Sequence, residues 1–165
     1  MCILLKGFFM LSATAELIDS YEAAPSFIFA AIEGLTETQL LHEPGNDEWS
    51  IHKILVHLAD SEAVGYWRIR KTLAEDEPEL AVYDEARWAN ALNYNLQDRD
   101  LALKLFATLR SSSAALLRTI SQNAWERVGI HAENGRVTVY DLFTTYLEHG
   151  EVHLQQIEQI KQAIL

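Results

Sequence analysis

Thr138-Val-Tyr-Asp-Leu-Phe-Thr-Thr-Tyr-Leu-Glu-His-Gly-Glu-Val-His-Leu-Gln-Gln-Ile-Glu-Gln-Ile160 is the stretch whose reading decides the fold. Val139, Phe143, Tyr146, Gly150, His153, Ile157, Ile160 and Ile164 follow one another at steps of 4, 3, 4, 3, 4, 3 and 4. That alternation is the seam of a helix in a left-handed bundle. Thr138 can cap the helix, Asp141 puts a carboxylate in its first turn, and Val137 and Leu142 stand in hydrophobic-staple positions.

Three more long helical stretches precede it. Residues 12 to 34 carry Ile18, Tyr21, Pro25, Ile28, Ile32 and Leu35 at helical spacing, and Pro25 predicts a kink or break near Tyr21 to Ala24. Thr36 and Gln39 form a capping box for a short turn of helix over 36–41, and Glu43-Pro-Gly-Asn-Asp reads as loop. The second long helix runs from Ser50 to about Leu73 on Ile54, Leu58, Ser61, Gly65, Ile69 and Leu73. Residues 79–97 read as irregular, with a short helix around Glu85 to Asn93 and Tyr83, Trp88 and Tyr94 covering one end of the bundle. The third long helix spans about Asp98 to Gln122 on Ala102, Phe106, Leu109, Ser113, Leu116 and Ile120. Asn134-Gly135 signals a tight hairpin between Val128 and Val137, with two or three residues of pairing and too little alternation for a sheet. The chain therefore reads as one all-α domain over residues 1–165, a four-helix bundle.

Composition narrows the function classes. With 165 residues, 49% of them hydrophobic, the chain can build a core without disulfides or a structural metal, so a metal here serves chemistry. A formal charge of -11 argues against nucleic acid as a partner. The one cysteine, Cys2, has no internal disulfide partner. Residues 1–11 are apolar but lack a basic region ahead of the apolar run and a small-residue cleavage site. They read as a flexible extension, with Met10 as an alternative start. No run reaches the roughly 18 apolar residues of a membrane span, and the cytoplasm is the default compartment.

His149 and His153 share one helical face, where a single metal ion can join them, and His57 at the edge of the second helix's apolar stripe supplies a third imidazole. Three imidazoles suit nickel, zinc or iron and leave coordination positions for water or a thiol. The bland alternative is ordinary helix histidines. His42, His52 and His131 read as surface or capping residues. Asp60, three residues after His57, can accept a ligand-histidine proton or act as the acid–base residue, or can be a plain bundle-end carboxylate. Glu62 reads as a structural ion pair. Arg68 and Arg70 bind an anion or balance nearby carboxylates. Tyr146 is a pocket wall, a hydroxyl behind the ligands or plain core.

The segment Glu48-Trp-Ser-Ile-His-Lys-Ile-Leu-Val-His-Leu-Ala-Asp-Ser-Glu62, followed by His149-Gly-Glu-Val-His-Leu-Gln-Gln-Ile157, resembles the DinB-like superfamily, which includes the YfiT-like candidate metal-dependent hydrolases. The resemblance runs over almost the whole chain. It implies an up-down-down-up four-helix bundle in which His57, His149 and His153 hold a divalent metal. It also implies a homodimer and a small-molecule substrate. Some relatives are similar to thiol S-transferases that use bacillithiol or mycothiol, and one group includes a mycothiol-dependent maleylpyruvate isomerase. Others are read as hydrolases using a metal-activated water. The expected site lies between the first and last long helices, partly covered by the 75–97 connection.

Overall fold

A computed structural model describes the backbone of residues 2–45 and 48–165, and the side chains of residues 14–45 and 48–165. The readings of residues 1–11 as an extension and of Met10 as a start fall on residues whose side chains lie outside that description. In chain order the helices are α1 (Cys2–Ile32), α2 (Glu37–Leu40), α3 (Ile51–Ala74), α4 (Glu85–Ala91), α5 (Arg99–Leu117) and α6 (Val139–Ile164). Short 3-10 turns occupy Tyr94–Leu96 and Gln122–Glu126. No described helix is long and apolar enough to cross a membrane.

Local chemistry sets most of these boundaries. Thr36 and Gln39 close a capping box on α2, and Thr138 and Asp141 close another on α6. Ser50 caps α3 by accepting from the Lys53 amide. Each cap satisfies amides that the first helical turn leaves without partners.

The long helices form a ring in which α3 packs on α5 and α6, and α1 packs on the same two. Two apolar clusters fill it. One gathers Ile28, Ile54, Leu58, Phe106 and Ile157, and the other Ile18, Tyr21, Ile69, Leu117 and Phe143. Helices α3 and α5 run from the first cluster to the second, whereas α1 and α6 run the opposite way, which is the up-down-down-up order. Two neighbouring helices that run the same way need a long crossover, and residues 75–98 supply it. Between the clusters a polar belt crosses the bundle through His57, Glu62, Arg110, His149 and His153.

Four expectations are corrected here. Helix α1 continues through Pro25 instead of breaking. Proline at 25 cannot donate to the Tyr21 carbonyl, but Arg110 Nη1 does so from α5 at 3.1 Å, so the freed acceptor stays satisfied. On α5, Ala102, Phe106 and Ser113 are buried as expected, but Arg110 and Leu117 are buried in place of Leu109 and Leu116, because the polar belt claims Arg110. That helix also ends at Leu117. Finally, the hairpin is part of a sheet: β1 (Glu79–Leu80), β2 (Val128–His131) and β3 (Gly135–Thr138) stand in that order, with β1 parallel and β3 antiparallel to β2. Gly129 permits it, since a Cβ there would stand 2.7 Å from Leu80 Cδ1.

Candidate metal centre

His57 comes from the second turn of α3, and His149 and His153 from successive turns of α6. The framing helices are thus α3 and α6, the second and last long helices, and α1 lends no side chain to the triad. His57 is fully buried and the other two are half-buried. Their Nε2 atoms converge, with His57 to His149 at 3.0 Å and His149 to His153 at 3.1 Å. Nitrogens sharing a cation at roughly 2.1 Å stand roughly 3.0 Å apart when the ligands meet at a right angle. All three donor atoms lie within 4.8 Å of one another, and any pair wider than roughly 4.2 Å must draw in to share that cation.

Proton bookkeeping tests the fit without any ion. His153 Nδ1 faces Gln156 Oε1 at 2.9 Å, so Nδ1 carries the proton and Nε2 a lone pair. His149 Nε2 can donate to one neighbouring nitrogen, never to both. His57 Nδ1 is buried with no partner. If the His57 proton sat on Nε2 to serve His149, then His149 Nε2 could not also donate to His153. A neutral triad either sets two lone pairs or two protons against each other at about 3 Å, or lets a single His149 N–H serve only one of the two lone pairs that face it, whereas a shared cation would engage all three Nε2 lone pairs. The three-histidine cluster is therefore capable of coordinating a divalent metal ion.

Burial, and then the neighbouring imidazoles, push His57 down to about 3. Burial followed by His153 and Arg110 pushes His149 down to about 3. Burial also lowers His153, with Gln156 opposing. The donors are thus neutral at pH 7. An unfolded chain takes up protons near pH 6.5 that the folded metal-free protein refuses until about pH 3. Stability of the metal-free protein therefore falls as pH drops through that window, by up to about 1.4 kcal/mol per pH unit for each such group. Urea midpoints of chelator-treated protein between pH 7 and about pH 5 should show this slope, above the range where carboxylates titrate. A His57→Phe variant should flatten it, and an unchanged slope would contradict the assignment.

The surroundings fix the rings. Trp49 packs edge-on against His57 with ring centroids 4.8 Å apart, and Tyr94 packs on Trp49 at 6.4 Å. Asp60 accepts from the Tyr94 hydroxyl at 2.6 Å and points its carboxylate there instead of at the triad. Glu62 is buried in an ion pair with Arg110 at 2.9 Å, as its structural reading expects. Arg68 donates to the Tyr146 hydroxyl and to the Ala81 carbonyl while its Nε has no partner, and Arg70 lies over the Tyr66 ring. Tyr146 packs against Gly65, where a Cβ would meet the ring at 2.7 Å.

His42 is exposed, as expected, but His52 and His131 are buried, which corrects the surface reading. His52 Nε2 bonds the Tyr94 carbonyl at 2.9 Å, and His131 Nδ1 accepts turn amides of its hairpin. Two residues near the triad were not singled out in the sequence. Gln156 orients His153, and its position one turn beyond a ligand was a readable signal. Glu85 Oε2 stands 3.9 Å from His57 Nε2, and nothing local pointed to it.

A model of the DinB superfamily matches residues 20–157. The chain belongs to the DinB superfamily. A candidate metal-dependent hydrolase of Oceanobacillus iheyensis is 30% identical over 145 residues, covering 88% of this chain and 84% of the relative. The candidate metal-dependent hydrolase YfiT of Bacillus subtilis is 27% identical over 146 residues, covering 88% of this chain and 82% of its own. The solved YfiT structure, described as that of a candidate metal-dependent hydrolase with an unusual four-helix bundle topology, superposes with a TM-score of 0.85 at 26% identity, covering 90% of this chain and 86% of YfiT. This member of the DinB superfamily thus has the superfamily's bundle and a histidine triad within it.

Two clefts of this DinB-superfamily protein are lined by residues near the triad in sequence, though neither includes a triad histidine. One of about 330 Å³ is mostly apolar and includes Asp60, Val64, Trp67, Tyr83 and Trp88. The other, of about 360 Å³, includes Glu48, Trp49 and Gln156, so two residues that hold ligand histidines also form its wall.

Proposed function

We propose that the protein is a metal-dependent enzyme in which His57, His149 and His153 hold one divalent ion, nickel or zinc before iron, that activates a small thiol for S-transfer to an electrophile. The convergence of three Nε2 atoms from two helices carries this reading. The ion would supply Lewis acidity, lowering the pKa of a bound thiol or water. The protein's own contribution is to hold three neutral donors, to fix His153 through Gln156, and to shelter His57 beneath Trp49. Asp60 acts here as a positioning residue, because it anchors Tyr94, on which Trp49 packs. The apolar cleft at Trp67 and Trp88 suits the apolar body of a small electrophile.

Hydrolysis by an activated water is the second reading, favoured by the descriptions of the relatives. The resemblance also supports a homodimer, which sedimentation checks. Elemental analysis of tag-free protein should find near one nickel, zinc or iron per chain. A screen of that protein with bacillithiol or mycothiol and electrophilic acceptors, beside ester and amide substrates without thiol, separates the two chemistries. Turnover only with thiol supports transfer, and turnover without it supports hydrolysis. Absence of metal after reconstitution would remove both.

A further inference from the structure

Glu85 opens α4, inside the connection between α3 and α5, and local chemistry fixes its backbone: Asp84 caps that helix by accepting from the Arg87 amide at 2.9 Å. Its side chain is 51% exposed, yet Oε2 stands 3.9 Å from His57 Nε2, the same nitrogen that faces His149. Two α3 carboxylates that follow His57 are committed elsewhere, Glu62 to Arg110 and Tyr21, and Asp60 to Tyr94. Two ligands of one cation, each roughly 2.1 Å from it, stand between roughly 3.0 Å apart at a right angle and roughly 4.2 Å apart in line. The 3.9 Å separation of Oε2 from His57 Nε2 lies inside that range.

Charge points the same way. Three imidazoles are neutral, so a divalent ion held by them alone keeps both positive charges in a largely buried site. An anionic ligand offsets that cost. Tyr83 is placed to steady such a ligand, because its buried hydroxyl has Ser61 and Glu85 as neighbours and closes no hydrogen bond.

We propose that Glu85 is a fourth protein ligand to the cation of the histidine triad, brought in by the α3–α5 connection, with the Tyr83 hydroxyl donating to its second oxygen. The inference rests on the metal reading above. It makes α4 a metal-dependent cover, since a bound ion would tie this short helix to α3 and α6.

The test is direct titration of full-length protein with cobalt(II) and zinc(II) against a chromophoric chelator, together with the visible spectrum of the cobalt form. Wild type, Glu85→Gln and a surface control, Glu133→Gln, are compared, with circular dichroism to confirm helicity. Glu85→Gln should weaken both metals about tenfold or more and alter the cobalt absorption bands, because a carboxylate oxygen leaves the coordination shell. Glu133→Gln should change neither. Equal affinity and an identical spectrum in wild type and Glu85→Gln would overturn the ligand role while leaving the triad in place. Failure of wild type itself to bind either metal would overturn the triad and this inference together.

Discussion

Replacing Arg110 with alanine should cost about 3–5 kcal/mol of folding stability, a loss expected when one partner of a buried ion pair is removed. Arg110 is fully buried and touches every long helix. From α5 its Nε donates to Glu62 on α3 at 2.9 Å, Nη1 donates to the Tyr21 carbonyl on α1 at 3.1 Å, and Nη2 donates to the Tyr146 carbonyl on α6. Its guanidinium also lies over the rings of Tyr21 and Phe106, at 4.3 and 4.7 Å. Removing it strands the Tyr21 carbonyl, takes a second donor from the Tyr146 carbonyl and leaves Glu62 with only the Tyr21 hydroxyl. Burial already pushes Glu62 upward against the pull of Arg110, so the variant's Glu62 should bind a proton on folding. Denaturant melts of Arg110→Ala, Glu62→Gln and the double variant test this. The double variant should be less destabilised than the sum of the singles, since the uncompensated charge is gone. A loss below about 1 kcal/mol for Arg110→Ala would show that the hub does not hold the bundle together.

Metal content should collapse in His149→Ala/His153→Ala while helicity persists. Changing residues behind metal ligands costs roughly 10- to 100-fold in affinity, so losing two of the three histidine ligands should exceed about a hundredfold. The fold should survive because the two apolar clusters lie on either side of the polar belt and contain neither histidine. Elemental analysis and circular dichroism of purified wild type and variant read the two effects separately. A variant that keeps its metal would move the ion to a different site.

The features legible in the sequence are those whose physics is local. Thr36 with Gln39 and Thr138 with Asp141 are caps that act across three residues, and both appear as read. The stripe Ile54, Leu58, Ser61, Gly65 and Ile69 is buried on α3 as its spacing predicts. His149 and His153 share a face because a helix repeats at about 3.6 residues. His57 was assigned to the triad by its place on an amphipathic helix and by the motif around it.

Tertiary structure decided what depends on partners distant in the chain. Pro25 alone predicts a break, and α1 continues because an arginine 85 positions later supplies the missing donor to Tyr21. The phase of α5 is ambiguous by one residue while Leu109 and Arg110 compete for the inward side, and the buried Glu62 settles it. Strand β1 has two residues and no pattern of its own, so only the hydrogen bonds to β2 define it. Glu85 looks like any carboxylate in an acidic connection until the chain crosses from α3 to α5 and sets it beside His57. The sequence by itself determined the helices, their caps and the imidazoles available to one centre, because periodicity and capping act within a few residues. Only the packed bundle decided which charges are buried against one another and which carboxylate reaches that centre, because those energies depend on distances set by long-range packing.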